Sequence, residues 1–450
     1  MKVPAISYNG INIYRTYPSN RRDFEESLLP NNFGKVDSLK GMPYIYPINF
    51  TSIQHSSKLR ILFEYGLPCM YSGIDMINPK DLSKMIKNGT FFRQSHQVMP
   101  LLNKYDCFAG MEAQMIGLLN HRSKIHPNRT IRELLQEVEP FYRKDLYKKQ
   151  VPVFLELKKE FSNLPKEYQK KYNILMRETE KKLSKQPLQV PFSSYEFKYK
   201  LAKIKETFSF NDEHPKAKKV INKLIKESKK LSPETNAGTI DNQIKVIGMM
   251  DWILKKSVLK DNAQLRGLIA TSKARLEEKE VVIPFSRKSF IYDLSKIVEP
   301  LDKPELHDKL VNIAQKLPTS SQDFSAYVLK CVSEPSDKIG FRIMWPYLAS
   351  VEHILPHSCG GADIMANFGG ATTRENSARK SIDFTEQLIR RPKTPEYCQK
   401  YVDKLIELYH KGIFAKHKIN PKYIEDFRNT IFEQSKQKVN LDISAMYTKS

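Results

Sequence analysis

Between positions 111 and 332 the apolar residues recur at helical spacing. Ile131, Leu134, Leu135 and Val138 stand at i, i+3, i+4 and i+7, so a helix gathers them on one side, and Thr130 with Glu133 forms a capping box ahead of them. Val220, Ile221, Leu224, Ile225 and Leu231 repeat the pattern, with Lys219, Lys223, Lys226 and Lys230 along the opposite flank. Residues 244–276 predict one or two further helices, and 384–389, 397–409 and 423–432 three more. Breaks fall at 187–191, at 232–239 (SPETNAGT) and at 318–323 (PTSSQD). One stretch departs from this rule. Residues 350–355 (SVEHIL) read as a short strand that Pro356 stops; Gly360 and Gly361 make a turn, and 364–368 read as a short return strand. Thr372, Thr373, Arg374 and Glu375 have the spacing that starts a helix at about Thr373. The expected fold class is therefore α+β and mostly α, with one small two-strand and helix module beside a large helical region.

That stretch also holds the chemistry. Glu352 and His353 are adjacent, two asparagines follow at 367 and 376, and Arg379 and Lys380 close the run. Asn376, Arg379 and Lys380 at i, i+3 and i+4 share one helix face. Imidazole is the side chain that titrates near neutral pH, so it can take a proton from water. A carboxylate and an amide oxygen suit a hard cation, and the two basic residues suit a phosphate. On an ideal strand Glu352 and His353 point to opposite faces, so a shared site requires twist there. Taken singly, each residue reads better as part of a Gly-rich loop with a satisfied surface or core histidine and turn asparagines.

Taken together, Glu352-His353-Ile354, Pro356, the glycine pair and the spacing of Asn367 and Asn376 resemble the HNH, or ββα-metal, endonucleases, including the HNH domains of RNA-guided CRISPR effector nucleases. The resemblance implies that His353 is the general base and that Glu352 and Asn376 hold one Mg²⁺ or Mn²⁺. It further implies that Asn367 braces the loop and orients the histidine, and that Arg379 or Lys380 neutralises the phosphate. It departs from the zinc-containing members: Thr372 and Glu375 stand where their second Cys-x-x-Cys falls, so no structural zinc is expected. Glutamate in place of the commoner aspartate lengthens the metal carboxylate by one methylene.

A second segment carries part of the same likeness. Residues 59–77 (LRILFEYGLPCMYSGIDMI) predict a helix over 59–65 ending at Gly66, then a Cys69–Gly73 turn and an apolar strand. This is similar to the opening segment of HNH domains, with Ser72 where the second knuckle cysteine would be. The nuclease fold is then split. The expected organisation is an N-terminal region over 1–95 whose 59–77 end opens the fold, and a mainly helical basic domain over 96–338, inserted or preceding. A catalytic core over 339–392 and helices over 393–450 packed on that core follow.

Charge strengthens the reading. The 450 residues include 74 Lys and Arg against 50 Asp and Glu, a net charge of +24. Such an excess favours a polyanionic partner through counterion release, here nucleic acid and in first place DNA. Arg374 and the four lysines at 219, 223, 226 and 230 are the expected phosphate contacts, which position a nucleic acid without reading its sequence. Five cysteines with no Cys-x-x-Cys pair predict reduced thiols and a cytoplasmic setting. No secretory h-region and no 18-residue apolar run occurs, so neither export nor a membrane partner is expected. Residues 1–58, with β-like pieces at 11–14 and 43–50, are expected to be irregular but ordered. HNH domains serve restriction, phage defence and mobile elements, and an activating protein partner fits a helical domain of this size. The alternative is a non-catalytic, or partner-activated, nucleic-acid-binding protein that keeps the ββα module as scaffold.

Overall fold

A computed structural model describes residues 53–184, 191–209, 215–233, 238–277 and 285–448. The two β-like pieces expected before position 51 lie outside these. Helix α1 (Ile53–Leu62) continues as a 3₁₀ turn to Tyr65, and Gly66 caps it at φ +76°. The chain then makes the Cys69–Gly73 turn, closed by a hydrogen bond from the Gly73 amide to the Cys69 carbonyl (2.8 Å). From Ile77 it enters a helical region and does not return until Leu348. The two ends of that excursion are tied together: Ile77 and Leu348 form a parallel bridge, and the Ala349 amide donates to the Ile77 carbonyl at 2.8 Å.

Within the excursion, the helix α2 (Ile131–Ser162) starts at the expected capping box, with Thr130 and Glu133 bonding each other's backbone. Ile131, Leu134 and Leu135 are fully buried and Val138 is half-buried, as the spacing requires. Helix α3 (Pro215–Ser228) buries Ile221 and Leu224 and leaves Lys219, Lys223 and Lys226 exposed. Lys230 lies beyond its end and pairs with Glu227 at 2.7 Å. The 244–276 stretch forms two helices, Ile240–Lys255 and Ala263–Glu277.

After Leu348 come β1 (Ala349–His353), β2 (Phe368–Thr372) and α4 (Thr373–Arg379), then α5 (Thr394–His410) and α6 (Lys422–Gln434). The strands pair antiparallel, with Glu352 opposite Gly369 and His353 opposite Phe368. The described part is thus mostly helical with one small two-stranded sheet. Both strands differ from the expected bounds. β1 stops short of 354–355 because the Leu355 amide is taken by the Asn367 side chain instead of a strand neighbour. The return strand begins at Phe368 where 364–368 was expected, since the Phe-Gly-Gly-Ala-Thr sequence has no strand-like pattern of its own. Gly369 allows it: a Cβ there would meet Met70 Sδ at 2.3 Å, so glycine lets the opening segment lie against the strand.

Among the described residues there are four apolar cores. One joins Leu59–Met76, both strands, α5 and α6; a second joins residues 77–135 to 327–348; a third spans 192–276; the fourth joins 153–183 to 290–317. The first core therefore unites segments on both sides of the excursion, and the Met70 amide donates to the Gly370 carbonyl at 3.0 Å across that join. The helical cores change over at 76/77 and 348/349, inside the expected 1–95 and 339–392 regions. Among the described residues no helix is long and apolar enough to cross a membrane.

One buried acid in the second core makes stability depend on pH. Asp337, 5% exposed, accepts a hydrogen bond from Ser193 Oγ at 3.3 Å, and burial pushes its carboxyl up to about 6. Its folded value lies above its unfolded one, so the folded state loses stability as pH rises from about 4 through 6. A rise of this size is worth about 3 kcal/mol. Asp337→Asn keeps the acceptor without the charge. It is expected to raise the denaturation midpoint at pH 7.5 and to give no gain at pH 4, as read by urea melts at both values.

Candidate functional site

β1, the loop after it and α4 form the candidate site. Thr372 caps α4 by accepting from the Glu375 amide (3.3 Å), and the Thr373 amide and hydroxyl both donate to the Leu348 carbonyl. These bonds fix α4 against the start of β1. Asn376 lies in its first two turns and donates through Nδ2 to the Val351 carbonyl (2.9 Å) and to Ser350 Oγ (3.1 Å). No hydrogen bond to its Oδ1 occurs among the described residues.

Arg379, one turn further on, is 1% exposed. Its guanidinium forms an ion pair with Glu352 Oε1 and donates to the carbonyls of His353 and Ile354. Tyr71, from the opening segment, donates to the same Glu352 oxygen at 3.4 Å, and the guanidinium stands 5.5 Å from its ring centroid. Glu352 is itself 4% exposed. Burial pushes its carboxyl up to about 7, with Arg379 and Tyr71 pulling it back.

His353 leaves the strand on the other side, as β alternation dictates. Its ring packs edge-on against Phe368, 4.8 Å between centroids, and Nε2 sits 2.7 Å from Asp363 Oδ1. Asp363 and His353 are both partly exposed. Asn367 holds the loop between them. Its Oδ1 accepts from the Leu355 amide (2.8 Å) and its Nδ2 donates to the carbonyls of Leu355 and Ala362, each at 3.0 Å. Gly361 has no room for a side chain, because a Cβ would lie 1.8 Å from the Leu355 oxygen. Replacing Asn367 by alanine strips partners from three backbone groups, which costs about 2–4 kcal/mol. The variant is expected to show that loss in thermal melts and much faster hydrogen exchange at the Leu355 amide.

The structure thus gathers Glu352, Arg379 and Asn376 along β1 and α4, and His353 with Asp363 and Asn367 in the following loop. It does not join the imidazole to Glu352 or Asn376 by a hydrogen bond. Arg379 and Lys380 do not share a face. Arg379 is the last helical residue and points inward, whereas Lys380 turns out at φ +53° and is exposed. Arg379 therefore cannot be a phosphate contact in this arrangement. Arg374, also expected at a phosphate, pairs with the buried Glu112 and covers the Tyr347 ring at 4.9 Å. Asp363 and Tyr71 were not expected. Asp363 follows a glycine turn ten positions after its partner, where nothing in the local pattern marks it, and Tyr71 comes from a segment almost the whole helical region away.

The divalent cation that the resemblance implies does not fit the site as arranged. The chemistry of the donors is right, a carboxylate and an amide oxygen, but the carboxylate's charge is already matched by a guanidinium in contact with it. A dication beside that pair would meet a like charge with no net negative charge to hold it. No protein-family model, no curated protein and no solved structure matches the chain.

Proposed function

We propose that this chain is an HNH-type endonuclease that hydrolyses phosphodiester bonds of DNA. The observation that carries the reading is the His353–Asp363 pair. A carboxylate on Nε2 selects the tautomer with its proton there, leaving the Nδ1 lone pair to take a proton from water. The hydroxide so formed attacks phosphorus, and the P–O bond to the leaving oxygen breaks. Asn367 supports this by holding the loop that carries Asp363. Lys380 is the cation left to meet the phosphate, and Lys219, Lys223 and Lys226 on the exposed flank of α3 bind backbone at a distance from the chemistry.

The buried Glu352–Arg379 pair favours a second reading: a nucleic-acid-binding protein whose module is scaffold only, or is switched on by a protein partner. Supercoiled plasmid incubated with the purified chain in Mg²⁺ or Mn²⁺ separates the two. Conversion to nicked circles supports the nuclease; salt-sensitive binding with no nicking supports the scaffold. Asp363→Asn is expected to lower the nicking rate at least about ten-fold, because an amide can donate to the ring and select the wrong tautomer. An unchanged rate would remove Asp363 from the mechanism.

A further inference from the structure

Far from β1 and α4 in the chain, the third core presents an outer face of its own. The helix Ile240–Lys255 turns Ile247 and Met250 into that core. Its other side runs through Lys245, Gly248, Met249, Trp252 and the C-cap residue Lys256, spaced i, i+3, i+4, i+7 and i+11, and all five are exposed. Trp252, the largest of them, is 56% exposed. Gly248 contributes no side chain that could cover it. Between the two lysines the face carries no carboxylate: Asp251, the one acid in that span, lies on the flank and pairs with Lys255 at 2.6 Å. Asp241 stands on the same side only one turn before Lys245.

We propose that this stripe binds single-stranded nucleic acid, with a base stacked on Trp252 beside Met249 and phosphates on Lys245 and Lys256. This rests on the nucleic-acid partner of the reading above, not on its chemistry, and names the form of the strand. An indole offers a π-face that any unpaired base can cover, whereas the bases of a duplex are already stacked on one another. The two lysines lie about 16 Å apart along the helix axis with the indole between them, so a strand laid along the helix meets a charge, an apolar step and a second charge. Charge complementarity points the same way, since α3, with its exposed Lys219, Lys223 and Lys226, packs on the same core. A protein partner is the poorer fit. Two apolar side chains cover far less than the roughly 800 Å² that each side of a stable protein interface buries, while a single ring suffices for a base.

Titration of the full chain with oligothymidylate, oligouridylate and a DNA hairpin, without divalent cation so that nothing is cut, tests this. Trp252 and Trp345 are the two tryptophans of the chain, and Trp345 packs against the second core. Tryptophan emission is expected to fall as a single strand binds, and the fall to vanish in Trp252→Ala. That variant is expected to bind the single strands at least about five-fold more weakly, the loss of one stacked base, and the hairpin within a factor of about two of the unaltered chain. Trp252→Phe keeps a ring and should recover most of the affinity. Lys245→Gln combined with Lys256→Gln should flatten the slope of log K against log salt by about 1.4, the share of two single-strand phosphates. The oligomer bound more tightly identifies DNA or RNA as the source of the strand. No binding of either oligomer would overturn the proposal. So would unchanged single-strand affinity in Trp252→Ala, which would leave the stripe to a protein partner. The nuclease reading is decided separately. A Trp252-dependent single-strand site with no plasmid nicking keeps the stripe and discards the nuclease, whereas nicking by a chain whose Trp252→Ala variant binds single strands unchanged does the reverse.

Discussion

His353→Ala is expected to reduce plasmid nicking by about 10²- to 10⁴-fold, the range that a positioned general base contributes. The loss should lie in the rate at saturating DNA, not in affinity. The ring touches Phe368 and Asp363, while the lysines expected to bind backbone stand on α3 in another core. Binding measured by filter retention should therefore stay within a factor of about two and keep its dependence on salt. Alanine removes an edge-on contact with Phe368, a half-buried position worth about 1 kcal/mol, so the fold should survive. A variant that nicks as fast as the unaltered chain would show that the imidazole takes no proton. A variant that loses binding and nicking together would show that His353 holds the nucleic acid instead.

The elements with a strong period or cap were legible in the chain alone. The Thr130–Glu133 capping box and the Ile131, Leu134 and Leu135 stripe define α2 with local interactions, and local interactions are what a sequence displays. Thr372 started α4 for the same reason. What could not be read is what depends on distant partners. Phe368–Thr372 is a strand because glycines let Met70 and Met76 close on it, and neither methionine is near in sequence. Arg379 looked like a free cation because the helix rule says which residues align, not which side faces inward. The burial of α4 against β1 turned it toward Glu352, while Arg374 meets Glu112 of the helix Gly110–Ile125, in the second core. Asp363 escaped notice because a loop has no period from which a contact ten residues apart can be inferred.

Arg379→Met is expected to have the largest effect on stability, about 3–5 kcal/mol, because it strands a carboxylate that is 4% exposed. Urea denaturation should show a lower midpoint with an unchanged slope, the mark of a stability change without a change in the surface exposed on unfolding. The companion variant decides the cause. If the cost comes from the uncompensated charge, Glu352→Leu combined with Arg379→Met should recover part of it, since apolar residues of similar volume often replace a buried pair without loss. Recovery should remain incomplete. The carbonyls of His353 and Ile354 lose the guanidinium in both variants, and two unmet acceptors retain a cost of about 2 kcal/mol. A double variant as unstable as Arg379→Met would mean that the carbonyl contacts, not the ion pair, hold the end of β1, and that Glu352 contributes little to the fold.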